Sequence, residues 1–286
     1  MRNHTLPQMS LPHSDDTKLF MSFVVVNLNS GTHLKDTVNN LLSQTCKRFE
    51  IVIKDGGSID GSTDFLKEWD EPRIKFVVCG DSGIYNAMNQ AVSHCDGDFL
   101  WFVNAGDRLS NTDTLNVVYR HALQSKSPKS STLLYGDCFF EDRGYVRFGP
   151  KRISEFFIFR THINHQAQIW PRSAFPKDGF DLNYQVCADY EFFARSLLQG
   201  RFGSERVIGL EINYAGGGYS ETSIAHSLIE KERRLIQKKY FSKSKYLTYR
   251  FLSSLVHVSK HCVEHNFLMS RIYMKKNPFK KSRESI

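Results

Sequence analysis

The feature that most constrains this chain is the alternation in its first third between two kinds of apolar segment. Phe23-Val24-Val25-Val26 is a β-branched run with no polar face, as in a strand buried on both sides. Leu34, Val38, Leu41 and Leu42 then recur at helical spacing behind the candidate caps Ser30 and Thr32. The cycle repeats: strands are expected at 49–53, 74–78 and 99–103. Helices are expected from a Ser62 cap through Phe65 and Trp69, and over 84–93 with Ala87, Met88 and Ala91 turned inward. Such alternation predicts an α/β fold, a Rossmann-like and mostly parallel sheet with flanking helices and right-handed crossovers. Ligands on such sheets bind beyond the carboxyl ends of the strands. The polar or glycine-rich loops 27–31, 55–62, 80–83 and 104–107 should therefore converge on one crevice.

Past residue 133 the pattern loosens into short strands at 133–135 and 145–148, a basic loop, and a helix carrying Tyr190, Phe193 and Leu197. Three regions follow: a loose leader over 1–19, one catalytic-sized domain over 20–224, and a basic amphipathic helical region over 225–286. The charge divides at the same place. Of 38 basic and 30 acidic residues, 15 and 4 lie from Ala225 onward, which leaves 23 and 26 before it. The net charge of +8 thus belongs to the C-terminal region, and its partner would be polyanionic, a lipid surface or a nucleic acid. No aromatic-basic RNA motif and no helix-turn-helix accompanies the charge, which argues against nucleic acid. Leu247, Phe251, Leu255, Val258 and Cys262 fall on one helix face and Arg250, Ser254, His257 and Lys260 elsewhere. That stripe either docks on the main domain or lies on an anionic membrane surface. The six cysteines are scattered singly without zinc spacing, which suits a reducing compartment. No signal-like segment or apolar stretch of spanning length is present, so a cytoplasmic protein is expected, peripheral on the inner membrane face if the basic region binds lipid.

The motifs come in a telling order. Asn27-Leu28-Asn29 is followed by Phe49 through Asp55-Gly56-Gly57-Ser58, then by Asp81-Ser82-Gly83-Ile84-Tyr85-Asn86-Ala87-Met88-Asn89. Next come Phe102-Val103-Asn104-Ala105-Gly106-Asp107, His165-Gln166 and Ala188-Asp189-Tyr190-Glu191. Alone, Asp55-Gly56-Gly57-Ser58 reads as a turn, Asp189 as an acid at a helix start and His165 as a hydrogen-bonded structural residue. The ordered set, running from Phe23 to Ser220, resembles the family-two glycosyltransferases of GT-A fold, and its variants resemble those of bacterial exopolysaccharide clusters such as those that build colanic acid.

That resemblance implies transfer of a sugar, with inversion, from a nucleoside-diphosphate sugar to a hydroxyl of a glycan acceptor, lipid-linked in surface-polysaccharide synthesis. It places Asn27, Asn29, Asp55, Asp81 and Asn104 on the donor side, with Asp55 accepting from a base imide and Asp81 bordering the diphosphate-sugar pocket. Asp107 becomes the ligand of a Mg²⁺ or Mn²⁺ ion that offsets charge on the diphosphate. Asp189 becomes the general base, a role that a modestly raised pKa would favour, and His165, Gln166 and Glu191 fall on the acceptor side. The segment Gly216-Gly217-Gly218-Tyr219-Ser220 stands where a closing loop is expected. One departure is Gly106, where many relatives carry a second acid. The alternative reading is a non-catalytic nucleotide-sugar or glycan-binding protein on the same fold. A nucleotide-dependent oxidoreductase is disfavoured because Asn27-Leu28-Asn29-Ser30-Gly31 replaces the Gly-x-Gly-x-x-Gly turn.

Overall fold

The computed structural model describes residues 19–265, apart from 128, 178, 201 and 218–222, together with 281 and 282. The expected leader, the end of the glycine-rich segment (Gly218 to Ser220) and most of the chain beyond 265 lie outside the described residues.

The parallel half of the sheet forms as the sequence pattern requires. β1 (Met21–Asn27) lies between β2 (Phe49–Asp55) and β4 (Phe99–Phe102), with β3 (Ile74–Val78) outside β2, all parallel. Because side chains alternate across a strand, Phe23 and Val25 enter one core, and Val24 the other. The first core is closed by α1 (His33–Leu42) and α3 (Thr114–Gln124), the second by α2 (Ile84–Val92) and α5 (Ala188–Leu198). The helix expected behind Ser62 is only a one-turn 3₁₀ segment, Asp64–Lys67. Phe65 and Trp69 instead pack edge to face at 4.9 Å, against the first core.

Beyond β4 the sheet becomes mixed. β8 (Gln168–Pro171) joins β4 and β6 (Thr132–Phe140) antiparallel, β7 (Tyr145–Arg147) follows β6, and β10 (Lys281–Ser282) follows β7. The long β9 (Gly203–Tyr214) runs parallel to β6 and also pairs with β5 (Arg108–Leu109). The β6–β9 register shifts around Gly136, where a Cβ would stand 2.1 Å from the Leu210 carbonyl oxygen, so only glycine fits this approach.

Up to His265 the described part of the basic region is helical, in α6 (Ser223–Tyr240) and α7 (Lys243–His265), and the described chain contains no helix long and apolar enough to cross a membrane. Ala225, Ile236, Phe241 and Tyr246 are buried, the last three in the core that holds Phe102 and Trp170. These helices therefore pack on the α/β unit. The α7 stripe faces the other way: Leu247, Phe251 and Leu255 are 51–65% exposed, while Tyr249 packs tilted on Phe156 and edge to face on Phe159 of α4 (Glu155–Arg160). Val258 and Cys262 have no described side chains.

Candidate active site

The strand ends build the first part of the site. Asn27 and Asp55 are register partners and the last residues of β1 and β2, so both side chains stand where the chain leaves the sheet. Asn27 Nδ2 donates to Asp55 Oδ1 at 2.7 Å, and Ser58 Oγ donates to the same oxygen at 2.6 Å. The Gly57 and Ser58 amides donate to Oδ2 at 2.9 and 2.7 Å. Four donors fill a carboxylate's four acceptor positions. Burial would raise the Asp55 pKa, but the bonds from Ser58, Asn27 and Gly57 outweigh it and hold the carboxyl below its usual value. Asn29, at φ +50°, completes the knot: its amide donates to Ser58 Oγ at 2.8 Å and its side-chain oxygen accepts from the Ile59 amide at 2.9 Å.

Asp81 is joined to this knot by an ion pair. Lys54, one residue before the end of β2, is fully buried and pairs with Asp81 Oδ2, while Asp81 Oδ1 accepts from the Gly83 amide at 3.0 Å. A Cβ at Gly56 would come within 3.0 Å of the same Oδ2, so the glycine lets the two loops meet.

The third loop follows β4. Gly106 adopts φ +104°, its amide donates to Thr37 Oγ1 at 2.8 Å, and a Cβ would lie 3.3 Å from that of Ala215. A second acid here would be strained and crowded, which accounts for the departure from the two-acid pattern. The turn aims Asp107 inward at 2% exposure, where its two oxygens accept from Gln166 Nε2 at 3.2 Å and the Ala215 amide at 3.1 Å. Burial raises its pKa to about 6 against those bonds. Asn104 Oδ1 and Gln166 Oε1, which line the same cavity, are buried acceptors with no partner. A buried carboxylate with neutral amide oxygens beside it and an open cavity in front suits a hard divalent cation, which would take its remaining ligands from diphosphate and water. Among the described residues no group of three or more His, Cys, Asp or Glu side chains is placed to hold a metal ion, so a cation at Asp107 would not rest on a protein cage.

Asp189 lies in the first turn of α5. Its Oδ1 accepts from Tyr85 Oη at 3.0 Å and the Tyr190 amide at 2.8 Å; its Oδ2 lies 3.1 Å from His162 Nε2 and 3.5 Å from His165 Nδ1. His165 Nε2 in turn lies 3.3 Å from Asn104 Nδ2, which connects Asp189 to the loop after β4. The expectation of a raised Asp189 pKa is overturned. Burial pushes it up, but the two histidines outweigh burial and hold it well below the carboxylate range. Burial lowers His162, so the pair is best described as a neutral imidazole donating Nε2–H to an ionised carboxylate. The turn before Asp189 is held by α6: the Glu232 carboxylate accepts the amides of Gln185, Val186 and Cys187 at 2.7, 3.0 and 2.9 Å.

A cavity of about 240 Å³ brings Asn104, Asp107, His165, Gln166 and Asp189 together, with Tyr85, Arg147, His162 and Arg233 on its walls. A second cavity of about 400 Å³ adjoins it across Ile84, Tyr85 and Gln185 and reaches Ser82 and Gly83, beside Asp81. Asn27, Asn29 and Asp55 form the separate knot on the β1–β2 side. Glu191 is a correction. It is 1% exposed and turned away from both cavities, where Lys239 at 3.1 Å and the Tyr240 hydroxyl tie it to α6. An acid two residues along a helix from Asp189 points to another face, so adjacency in the motif did not carry over to the site. Sequence reasoning missed His162, whose signal was the spacing to His165, and Tyr85, which stands within a quoted motif. Arg147 and Arg233 carried no local signal.

Against this geometry, comparison with known proteins agrees. Residues 22–173 match the profile of glycosyl transferase family 2. The chain is 30% identical over 217 residues to "PGL/p-HBAD biosynthesis glycosyltransferase" proteins of Mycobacterium tuberculosis and Mycobacterium bovis, covering 74% of this chain and 81% of theirs. Among solved structures, S. aureus TarS 1-349 in complex with UDP-GlcNAc superposes with a TM-score of 0.60 at 15% identity, over 80% of this chain and 69% of that one. The mannosyltransferase PcManGT from Pyrobaculum calidifontis, in complex with GDP-Man and Mn²⁺, gives 0.57 at 17%, over 75% and 64%. The two structures establish a common GT-A fold, and the profile and relatives establish more: the chain belongs to glycosyl transferase family 2 and is a glycosyltransferase.

Proposed function

We propose that this glycosyltransferase moves a sugar, with inversion, from a nucleoside-diphosphate sugar to a hydroxyl of a glycan or lipid-linked glycan in bacterial surface-polysaccharide or glycolipid synthesis. The observation that carries the reading is the placement of Asp189 and Asp107 on one cavity, joined through His165 and Asn104. The β1–β2 knot, with Asp55, Asn27 and Asn29, forms a rigid seat for the nucleotide. A base imide would reach Asp55 by displacing a side-chain donor, Ser58 Oγ or Asn27 Nδ2. Asp81 and Asn104 border the diphosphate sugar. Mg²⁺ or Mn²⁺ on Asp107 would supply charge neutralisation to the departing diphosphate. The binding of GDP-Man with Mn²⁺ by one structural neighbour, and of UDP-GlcNAc by the other, supports both the donor class and the ion.

Asp189 Oδ2, with His162 Nε2 at 3.1 Å and His165 Nδ1 at 3.5 Å, borders the cavity in which the acceptor would stand. The acceptor hydroxyl gives its proton to that oxygen while attacking the anomeric carbon, and the bond to the diphosphate oxygen on the opposite face breaks. His165 and Gln166 hold the base and the metal loop in register.

The exposed Leu247, Phe251 and Leu255, with basic residues around them, would seat α7 on an anionic membrane at the cytoplasmic face, next to a lipid-linked acceptor. The testing experiment screens UDP-, GDP- and dTDP-sugars for nucleoside-diphosphate release with and without EDTA. One donor is expected to react, slowly without acceptor and only with metal. Folded protein that binds no nucleotide sugar would refute the reading and favour a glycan-binding role.

A further inference from the structure

We infer that the acceptor carries an anionic group, a phosphate or a carboxylate, near the hydroxyl that is glycosylated, and that Arg147 and Arg233 receive it. The inference rests on the transferase reading above and adds the chemical class of the acceptor.

Both arginines line the cavity that holds Asp189. Arg147, on β7, donates to Asn164 Oδ1 at 3.0 Å, Thr161 Oγ1 at 2.6 Å and the His162 carbonyl at 2.9 Å. Arg233, on α6, donates to the Arg160 carbonyl at 2.6 Å and lies 4.4 Å over the Tyr190 ring. All of these partners are neutral, and neither arginine forms an ion pair among the described residues. The cavity's own carboxylates are engaged elsewhere: Asp107 with Gln166 and Ala215, Asp189 with His162, Tyr85 and Tyr190. Two cations therefore share one partly buried wall with no carboxylate in direct ion-pair contact, which leaves both guanidinium groups able to take up a further anion. Burial, with Arg233 adding to it, lowers the Arg147 pKa, which shows that the two charges feel each other. A guanidinium fixed in orientation matches the two oxygens of a phosphate or carboxylate.

The arginines share the cavity with Asp107 and Asn104, but their own contacts lie on segment 160–164 and Tyr190, which flank Asp189. The chain of contacts runs from Arg147 through His162 to Asp189 and on to Tyr85 of α2, which borders the second cavity beside Asp81. β7 is four strand positions from β1, about 19 Å at ordinary spacing, which separates Arg147 from the β1–β2 knot. A group held there belongs to the molecule whose hydroxyl meets Asp189.

The test titrates the full chain by calorimetry with glucose 1-phosphate, glucuronate and, as neutral control, methyl α-glucoside, each with and without UDP or GDP plus Mg²⁺. One anion should bind at least about tenfold more tightly than the control, and which one does so identifies phosphate or carboxylate. Arg233→Gln should abolish that preference while leaving the melting temperature and nucleotide binding unchanged. Arg147→Gln should do the same, but it also releases segment 161–164, so Arg233→Gln decides. Equal binding of all three sugars would overturn the proposal, as would displacement of the anion by UDP or GDP, which would assign the arginines to the donor. Failure of every nucleotide to bind would sink the transferase reading instead, and the anion titration would still read the site.

Discussion

Asp107 stores unfavourable energy that can be measured without substrate. Its carboxyl is 2% exposed and burial raises its pKa to about 6, against 3.8 for a free side chain. A folded-state pKa above the unfolded one means that the folded protein binds more protons between these values. The fold is then most favoured below pH 3.8 and loses stability as pH rises through 6. At 1.36 kcal/mol per pH unit the loss approaches about 3 kcal/mol by pH 8. Asp107→Asn removes the titration. It also spoils the acceptance from Gln166 or from the Ala215 amide, a cost of about 1 kcal/mol that does not vary with pH. The difference in unfolding free energy between variant and parent should thus swing by about 2.4 kcal/mol in the variant's favour from pH 4 to pH 8. Urea unfolding in EDTA at several pH values measures it. A pH-independent difference would refute the argument that Asp107 is a buried carboxylate lacking a cation.

Four further outcomes follow from the same contacts. Asp189→Asn should lower kcat by about 10²–10⁴ with nucleotide binding intact; because His162 helps keep Asp189 ionised, His162→Ala should move the acid limb of kcat/KM to higher pH, and an unmoved limb would contradict the pairing. Asp81→Asn strands the fully buried Lys54 ammonium and should cost about 3–5 kcal/mol in urea unfolding, partly recovered by adding Lys54→Met; a cost under about 1 kcal/mol would mean that Lys54 finds another partner. Replacing Leu247, Phe251 and Leu255 with serine should leave the melting temperature within about 2 °C, since these side chains are exposed, and should abolish flotation with phosphatidylglycerol vesicles; retained flotation would remove α7 from the membrane account.

The sequence by itself determined the parallel half of the sheet and the residues at its carboxyl edge. The period-2 burial of Phe23, Val24 and Val25 and the helical spacing of Leu34, Val38 and Leu41 are local signals, and polar residues at strand ends are placed by the strands themselves. Asn27, Asp55 and Asp107 were legible for that reason. The antiparallel half was not: β8 and β9 owe their existence to partners far along the chain, and the Gly136 contact with Leu210 is a property of the pair. The same holds for the chemistry of the site. Motif order brought Asp189 into view, but its low pKa comes from His162 and His165 folded against it, and its position from Glu232 on a helix that reads from sequence as a basic appendage. Glu191 and Asp189, two residues apart, parted company because a helix turns neighbours onto different faces. Arg147 and Arg233 became one wall only when β7 and α6 met across the cavity. Local periodicity fixes which segments form and where their polar ends stand. Burial, pairing and the resulting charge states depend on groups distant in sequence, and only the tertiary structure brings those together.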